Sequence, residues 1–298
     1  EHGAPENVQV ISNPEFLREG TAVGDFLHPD RVVIGADTEQ AGKKLAEVYK
    51  PQIDEGVPFL FTTPESAELV KYASNAFLAL KLTFINEIAL LADKIGVDTH
   101  DVAKGMGMDK RIGAKFLLPG PGYGGSCLPK DTNGLIHIAR SFGAELMLVE
   151  TAVRTNERIP IELIGRLAEA VGGLRGKAVG VLGLAFKGGT DDVRESPAIK
   201  LIGELTRQGA VVRAFDPQAE KLARRELGDT IEYAATAENA IAGADVLVVA
   251  TEWPQFGEIP PKEIARLMRG RTLADFRNLF DPREAESAGL QYLGMGRA

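Results

Sequence analysis

The sequence predicts an α/β protein in three parts: the closing part of an α/β domain, an all-helical middle, and a doubly wound parallel sheet. Two patterns lead to this prediction. Apolar residues recur every three or four positions across the middle of the chain, which is typical of amphipathic helices. From Lys177 onward, short apolar runs alternate with helical segments, which is the rhythm of a parallel sheet. The predicted domains are residues 1–61, 62–172 and 173–298.

The first part contains strand-like runs at Val8–Ser12 and Arg31–Gly35 and a helical stretch from about Gln40 to Glu55. The chain starts at Glu1 without a methionine, and its first strand resembles one from the middle of a domain. We therefore expect the chain to be a piece of a larger protein.

One long helix is predicted to open the middle part. Thr62-Thr63-Pro64-Glu65 combines a threonine cap, a proline at the first helical position and an early acid. The apolar spacing then continues to Gly96, which makes a helix of about 30 residues and roughly 45 Å. A helix of this length suits a domain spine or an oligomer interface. Further helices are predicted near 98–107, 132–142 and 146–171, before the Gly172-Gly173 break.

The last part has strand-like runs at Ala178–Gly183, Val211–Phe215, Asp245–Ala250 and Thr272–Phe276. Ligands of such sheets bind beyond the carboxyl ends of the strands. Lys187 and Arg277 follow two of these ends and could reach phosphates, although both could equally be solvated surface charges. The spacing of Gly180, Gly183 and Gly188 is not that of a dinucleotide fingerprint. A mononucleotide or nucleotide sugar is therefore the better candidate ligand of this domain.

Composition excludes several classes of function. The 298 residues carry a formal net charge of −8, which makes nucleic acid an unfavourable partner. The single cysteine excludes an internal disulfide and fits a reducing cytoplasm. No uninterrupted apolar run reaches the roughly 18–20 residues of a membrane span, so no membrane partner is expected. The four histidines are scattered without metal-ligand spacing, and no metal is expected.

The most informative stretch runs from Gly120 to Asp131 and holds Cys127. Its glycines allow close approach of the backbone to a ligand. A cysteine just before a helix start and beside Lys130 has the surroundings of an activated nucleophile. The alternative is a small buried residue in a structural loop.

Two further pairs could carry chemistry. Glu15 and Glu19 are four residues apart after a strand and would share one face if the segment were helical. Lys71 and Asn75 have the same spacing on the long helix and could together stabilise an oxygen that gains negative charge. For each pair, solvated surface groups are the alternative.

Seven motifs occur in one order: NPEFLREG, ELVKYASNAF, GMDKRIG, GYGGSCLPKD, GLAFKGGTDDVRES, FDP and TEW. Together they resemble the UDP-glucose/GDP-mannose dehydrogenase family over essentially the whole chain. The resemblance implies a remnant of an amino-terminal Rossmann domain, a central dimerisation domain and a carboxy-terminal Rossmann-like domain that binds the nucleotide sugar. It implies NAD as cofactor and a four-electron oxidation of the sugar C6 alcohol. GMDKRIG and TEW favour the UDP-glucose members. GDP-mannose oxidation is one alternative, and a non-catalytic binding or dimerisation module is another.

By the same resemblance, Cys127 would capture the aldehyde as a thiohemiacetal that is oxidised to a thioester. Lys71 and Asn75 would stabilise the oxyanion, Asp131 would position water, and Glu15 would assist proton transfer. The implied nucleotide-sugar contacts are Phe16, Leu17, Arg111, Phe116, Leu117, Tyr123, Gly124, Lys187 and Arg277. Arg111 would reach the neighbouring subunit of a homodimer. Glu19, Lys130 and Arg194 would lie near NAD, but most of the NAD-binding domain is expected to be missing, so the chain should bind NAD poorly.

Overall fold

The computed structural model describes residues 8–297, and the chain divides into two compact units, residues 1–76 and 77–298. The first unit contains a three-stranded sheet of β1 (Ile11–Ser12), β2 (Val32–Ala36) and β3 (Phe59–Thr62). The central strand β2 pairs antiparallel with β1 and parallel with β3. Its apolar side chains are buried, which makes it the core of this sheet.

The helical stretch predicted near Gln40–Glu55 is divided. After α1 (Ala22–Leu27) and β2, the chain forms α2 (Glu39–Ala46), a 3-10 turn (Glu47–Tyr49) and α3 (Lys50–Asp54). Pro51 lies in the first turn of α3. Proline has no N–H to continue the hydrogen bonds of a preceding helix, which explains why a new helix starts here.

The long helix α4 spans Pro64–Ile95, 32 residues, as the sequence predicted. Thr63 caps it, since its Oγ1 accepts a hydrogen bond from the Ser66 N–H at 3.3 Å. The side chains that produced the apolar periodicity are largely exposed, whereas the buried face is rich in alanine. The buried apolar residues are Ala67, Ala76, Ala79, Ile85, Ala89 and Ala92.

By length and composition alone, α4 could also cross a membrane. An 18-residue stretch of α4 has a mean hydropathy of 1.4, and 44% of that stretch is buried inside the protein. The core helix of a soluble protein passes the same test.

The other central helices are α5 (Thr99–Gly107), α6 (Cys127–Ser141) and α7 (Met147–Val171). Helix α6 begins five residues earlier than the predicted 132, because Pro129 lies in its first turn, where proline is tolerated. Helix α7 is followed by Gly172, whose φ of 70° is the left-handed conformation that glycine adopts without strain at a helix end.

A six-stranded parallel sheet forms the last part of the second unit. Its strands are β4 (Ala178–Leu182), β5 (Val211–Phe215), β6 (Glu232–Tyr233), β7 (Val246–Val249), β8 (Thr272–Asp275) and β9 (Gln291–Gly294). Their order is β6-β5-β4-β7-β8-β9, which is the Rossmann order 3-2-1-4-5-6. Four of these strands agree with the prediction from the sequence, whereas β6 and β9 were not predicted because they have no continuous apolar run.

Helices accompany this sheet: α8 (Pro197–Arg207), α9 (Glu220–Leu227), α10 (Ala237–Ile241), α11 (Pro254–Gly257), α12 (Pro261–Leu267) and α13 (Pro282–Ser287). One apolar cluster joins the sheet to α7 and α8, and a second joins it to α10 and α12. Gly180 in β4 is needed for this packing, because a Cβ there would lie 2.5 Å from the Ala240 carbonyl oxygen.

The carboxylate of Asp216 connects the carboxyl ends of three strands. Oδ2 accepts hydrogen bonds from the backbone of Leu184 and Ala185 and from the Trp253 indole, at 2.8, 3.0 and 3.1 Å. Oδ1 accepts from the N–H groups of Gln218 and Ala219. A buried carboxylate with this many donors fixes the loops that follow β4, β5 and β7.

We expect Asp216→Asn to lower the free energy of unfolding by about 2–4 kcal/mol, because the new amide NH₂ must face N–H donors. Chemical denaturation measures this loss. Asp229→Asn, at a fully exposed carboxylate, is the matched control and should change stability little. Equal stability of the two variants would contradict the role assigned to Asp216.

Candidate active site

Cys127 is the first residue of α6 and is half-buried. Its Sγ lies 3.6 Å from the Ser126 Oγ, and Ser126 makes no side-chain cap to the helix. The unsatisfied N–H groups and the dipole at a helix start favour negative charge. The thiol is therefore placed where a thiolate or an oxyanion is stabilised.

Asp131 lies one helical turn after Cys127 and is buried. It forms an ion pair with Lys130, whose side chain is 69% exposed. Lys130, expected near NAD, is thus oriented by the carboxylate next to it. A buried carboxylate one turn from a half-buried thiol is suitably placed to orient a water molecule in the thiol's surroundings.

Two asparagines that the sequence analysis did not select hold the glycine-rich loop. Asn86 on α4 accepts a hydrogen bond from the Gly120 N–H at 2.9 Å. Asn156 on α7 accepts from the Tyr123 N–H at 2.8 Å and donates to the Tyr123 carbonyl at 3.0 Å. Both side chains are buried. The sequence signal that could have identified these two asparagines is a polar residue at a buried position of an apolar helix.

Tyr123, expected to contact the nucleotide sugar, is itself buried, and this burial raises its pKa to about 12. Its hydroxyl hydrogen-bonds with Thr132 on α6, so the phenol remains neutral at physiological pH. The ring therefore anchors the loop to the helix that carries Cys127.

The glycine-rich loop packs against the segment 183–196. A Cβ at Gly124 would lie 2.4 Å from the Glu195 carbonyl oxygen, so only glycine fits there. The Gly125 N–H donates to the Arg194 carbonyl at 2.8 Å. The Arg194 guanidinium, expected near NAD, forms a two-pronged ion pair with Asp192.

Arg277 lies beyond β8 at the carboxyl edge of the parallel sheet, and only 14% of its side chain is exposed. Its Nε donates to the Ala250 carbonyl and its Nη2 to the Phe186 carbonyl, both at 2.9 Å. Nη1 would lie 3.1 Å from a Cβ placed on Gly120. Lys187 follows Phe186, with its Nζ 5.5 Å from the centre of that ring. The two cations thus follow the ends of β4 and β8, the two neighbours of β7 in the sheet.

Within residues 8–76, Lys71 and Glu15 are brought together. The Lys71 Nζ donates to the Glu15 Oε1 at 3.0 Å and also to the Glu15 carbonyl. Phe16 lies beneath the Arg31 guanidinium, 3.7 Å from the ring centre. Asn75 is buried one turn after Lys71 on α4. Glu15 and Phe16 thus both lie beside Lys71 on α4.

The helical arrangement considered for Glu15 and Glu19 was wrong. Residues 13–18 are extended or irregular, and the first helix begins at Ala22. Instead, the Glu15 carboxylate accepts a hydrogen bond from the Leu17 N–H at 2.6 Å. Glu19 is half-buried and precedes Gly20, whose φ is 84°.

The other predicted sugar contacts differ in exposure. Arg111 is 90% exposed and paired with Asp109. Phe116 has a positive φ of 64°, a conformation that is uncommon outside glycine and is often found at functional loops. Leu117 packs its side chain into a cluster with Ile85, so its backbone is the part that could contact a ligand.

The sheet order and the loop-borne cysteine define a Rossmann-type α/β protein that carries a thiol at the start of a helix. The chain belongs to the UDP-glucose/GDP-mannose dehydrogenase family. The sequence models of the family's NAD binding, central and UDP binding domains match residues 1–53, 65–158 and 180–282.

Relatives agree with this assignment. The chain is 45% identical to a UDP-glucose 6-dehydrogenase of Rhizobium meliloti over 98% of its own length and 67% of the relative's. It is 42% identical to UDP-glucose 6-dehydrogenase YwqF of Bacillus subtilis, covering 66% of that protein. The structure of a UDP-glucose dehydrogenase from Pyrobaculum islandicum superimposes with a TM-score of 0.88 at 44% identity, covering 97% of this chain and 64% of that one. The chain thus spans about two thirds of the proteins it matches.

The match of residues 1–53 confirms that part of an NAD-binding domain is present. A GxGxxG turn between a strand and a helix binds the pyrophosphate of a dinucleotide. Residues 8–62 contain no such turn. The described residues of this segment therefore do not fit the phosphates of NAD.

We expect Asn156→Asp to loosen the glycine-rich loop, because a carboxylate oxygen replaces the amide that donates to the Tyr123 carbonyl. The free energy of unfolding should fall by about 1–3 kcal/mol, and the Tyr123 amide should exchange its hydrogen faster. Asn239→Asp, at an exposed asparagine, is the control. An unchanged rate of amide hydrogen exchange at Tyr123 in Asn156→Asp would contradict the role of Asn156 in holding the glycine-rich loop.

Proposed function

We propose that the whole protein oxidises UDP-glucose at C6 to UDP-glucuronate, with Cys127 as covalent nucleophile. The observation that carries the proposal is the placement of this thiol: the glycine-rich loop delivers it to the start of α6, with the buried Asp131 one turn away. The high identity to UDP-glucose 6-dehydrogenases supports the substrate class. NAD⁺, when bound to the whole protein, would supply the oxidant, with one NAD⁺ taking up one hydride in each of the two oxidation steps.

Cys127 bonds to the C6 aldehyde through its Sγ, and the carbonyl oxygen gains the electron pair. After the second oxidation, the carbon–sulfur bond is that of a thioester. Asp131 holds the water that attacks the thioester carbon, which releases the carboxylate and restores the thiol.

Lys71 and Asn75 stabilise the negative oxygen in this proposal. Lysine has three N–H donors. Glu15 accepts from the Lys71 ammonium through its carbonyl and carboxylate oxygens, and this contact sets the direction of the ammonium. Glu15 is 56% exposed at its side chain and can exchange protons with solvent during turnover.

The nucleotide sugar is held by Lys187, Arg277 and the loop from Phe116 to Gly125. The proposed domain boundaries are 61/62 and 172/173, so that residues 173–298 would form the UDP-binding domain. The family comparison favours UDP-glucose over GDP-mannose: the GDP-mannose dehydrogenase of Pseudomonas aeruginosa is 30% identical with a TM-score of 0.50.

Cytoplasmic localisation agrees with the single unpaired cysteine.

A homodimer is part of the proposal. Phe77, Phe84 and Leu91 follow each other at intervals of seven on α4 and are 63%, 47% and 51% exposed. A strip of large apolar residues in this register is the pattern by which two helices pack. The exposed Arg111 is available to reach the site of the second subunit.

In the whole protein, Cys127→Ala should lower steady-state NADH formation from UDP-glucose by on the order of 10³–10⁶-fold, because the thioester cannot form. Ser141→Ala, at the opposite end of α6, is the matched control and should retain activity. GDP-mannose, tested in the same assay, should be a poor substrate. Full turnover by Cys127→Ala would refute the covalent route. A preference for GDP-mannose would refute the assignment of UDP-glucose as the substrate.

Phe84→Asp should shift the protein from dimer to monomer, because it places a charge within the apolar strip of α4. Light scattering coupled to size exclusion measures the mass. Val211→Asp puts the same charge on an exposed apolar residue of β5 and should leave the dimer intact. A dimer that survives in Phe84→Asp would place the interface elsewhere.

A further inference from the structure

Glu252 lies just beyond the end of β7 in the TEW motif, and neither the proposed chemistry nor the proposed binding uses it. Its two neighbours are fixed by hydrogen bonds. The Thr251 Oγ1 donates to the Ala185 carbonyl at 2.6 Å, and the Trp253 indole donates to Asp216 at 3.1 Å. Both neighbours are buried. The backbone thus presents Glu252 from a rigid position.

The two carboxylate oxygens of Glu252 have different partners. Oε1 accepts a hydrogen bond from the Gly188 N–H at 3.2 Å. Oε2 lies 3.2 Å from the Arg277 Nε. Oε2 is buried and accepts no hydrogen bond within residues 8–297, so the ion pair with Arg277 compensates for its burial.

The contacts of Glu252 join the two cations of the sugar site. Gly188 directly follows Lys187, and a Cβ at Gly188 would lie 2.8 Å from the Glu252 carbonyl oxygen. The backbone and the side chain of Glu252 therefore both contact the Lys187-Gly188 turn. The same side chain contacts the guanidinium of Arg277, which is also held by two strand-end carbonyls.

We propose that Glu252 is a positioning residue for nucleotide-sugar binding: it fixes the plane of the Arg277 guanidinium and the Lys187-Gly188 turn at the same time. This inference rests on the proposed function. Arginine loses much side-chain entropy when it must order itself around a ligand. With Nε already engaged, the guanidinium edge bearing Nη1 remains directed at the glycine-rich loop, in an orientation suited to a diphosphate oxygen.

The test is a calorimetric titration of the chain with UDP-glucose, without NAD. Glu252→Gln keeps the size of the side chain but removes the negative charge that pairs with Arg277. We expect Kd for UDP-glucose to rise about tenfold. Glu258→Gln removes the same charge from an exposed glutamate on the following segment and should bind like the wild type. Glu252→Asp, which keeps the charge but withdraws the carboxylate, should also weaken binding and serves if Glu252→Gln does not fold.

A second variant separates positioning from general structure. Arg277→Lys should itself weaken binding, because the ammonium lacks the planar donors of arginine. Because Glu252 acts in part through Arg277, adding Glu252→Gln to Arg277→Lys should raise Kd by clearly less than the tenfold expected in the wild-type background. An equal tenfold loss in both backgrounds would overturn the positioning role, as would wild-type affinity of the folded Glu252 variants. No binding of UDP-glucose by the wild type would overturn the proposed substrate site, and this inference with it.

Discussion

The carboxylate of Asp216 is the interaction on which the ligand-binding edge of the parallel sheet depends. It gathers backbone N–H groups from the loops after β4 and β5 and the indole of Trp253 after β7. The strands of a Rossmann sheet end at one edge, and ligands bind in the crevice outside these ends. Because Trp253 is held in this way, its neighbour Glu252 has a fixed position, and so have the contacts it makes with Arg277 and Gly188. The arrangement of charge at this edge follows from one buried acid.

A second constraint is the close packing of the glycine-rich loop. Gly124 lies against the Glu195 carbonyl, and the loop backbone is held by Asn86 and Asn156 from two different helices. These bonds leave the loop little freedom, and the loop leads directly into the first turn of α6. The position of Cys127 is therefore set by residues that have no chemical role of their own. Preorganisation of this kind is what a covalent nucleophile requires, since small displacements of the reacting atom are costly.

The long helix α4 shows how a correct sequence pattern can lead to an incorrect expectation about burial. The periodicity of large apolar residues predicted the helix, and its bounds agree with the structure. Yet alanines occupy the buried face, and Phe77, Phe84 and Leu91 are exposed. Small side chains permit close packing of neighbouring elements, whereas the large exposed side chains are available to contact a second protein surface. Periodicity gives the helix but does not say which of two apolar faces lies inward.

The sequence by itself determined the family motifs, the four central strands of the parallel sheet and the residue types of the site, since these depend on local order and spacing. It could not find β6 and β9, whose pairing depends on neighbours far along the chain. It suggested a helical face for Glu15 and Glu19, whereas the Glu15 carboxylate contacts Lys71 and the Leu17 N–H in a non-helical segment. Only the tertiary structure decided that Asn86 and Asn156 hold the loop and that Glu252 faces Arg277. The physical reason is that a buried polar side chain must find partners, and the fold alone determines which groups are within reach.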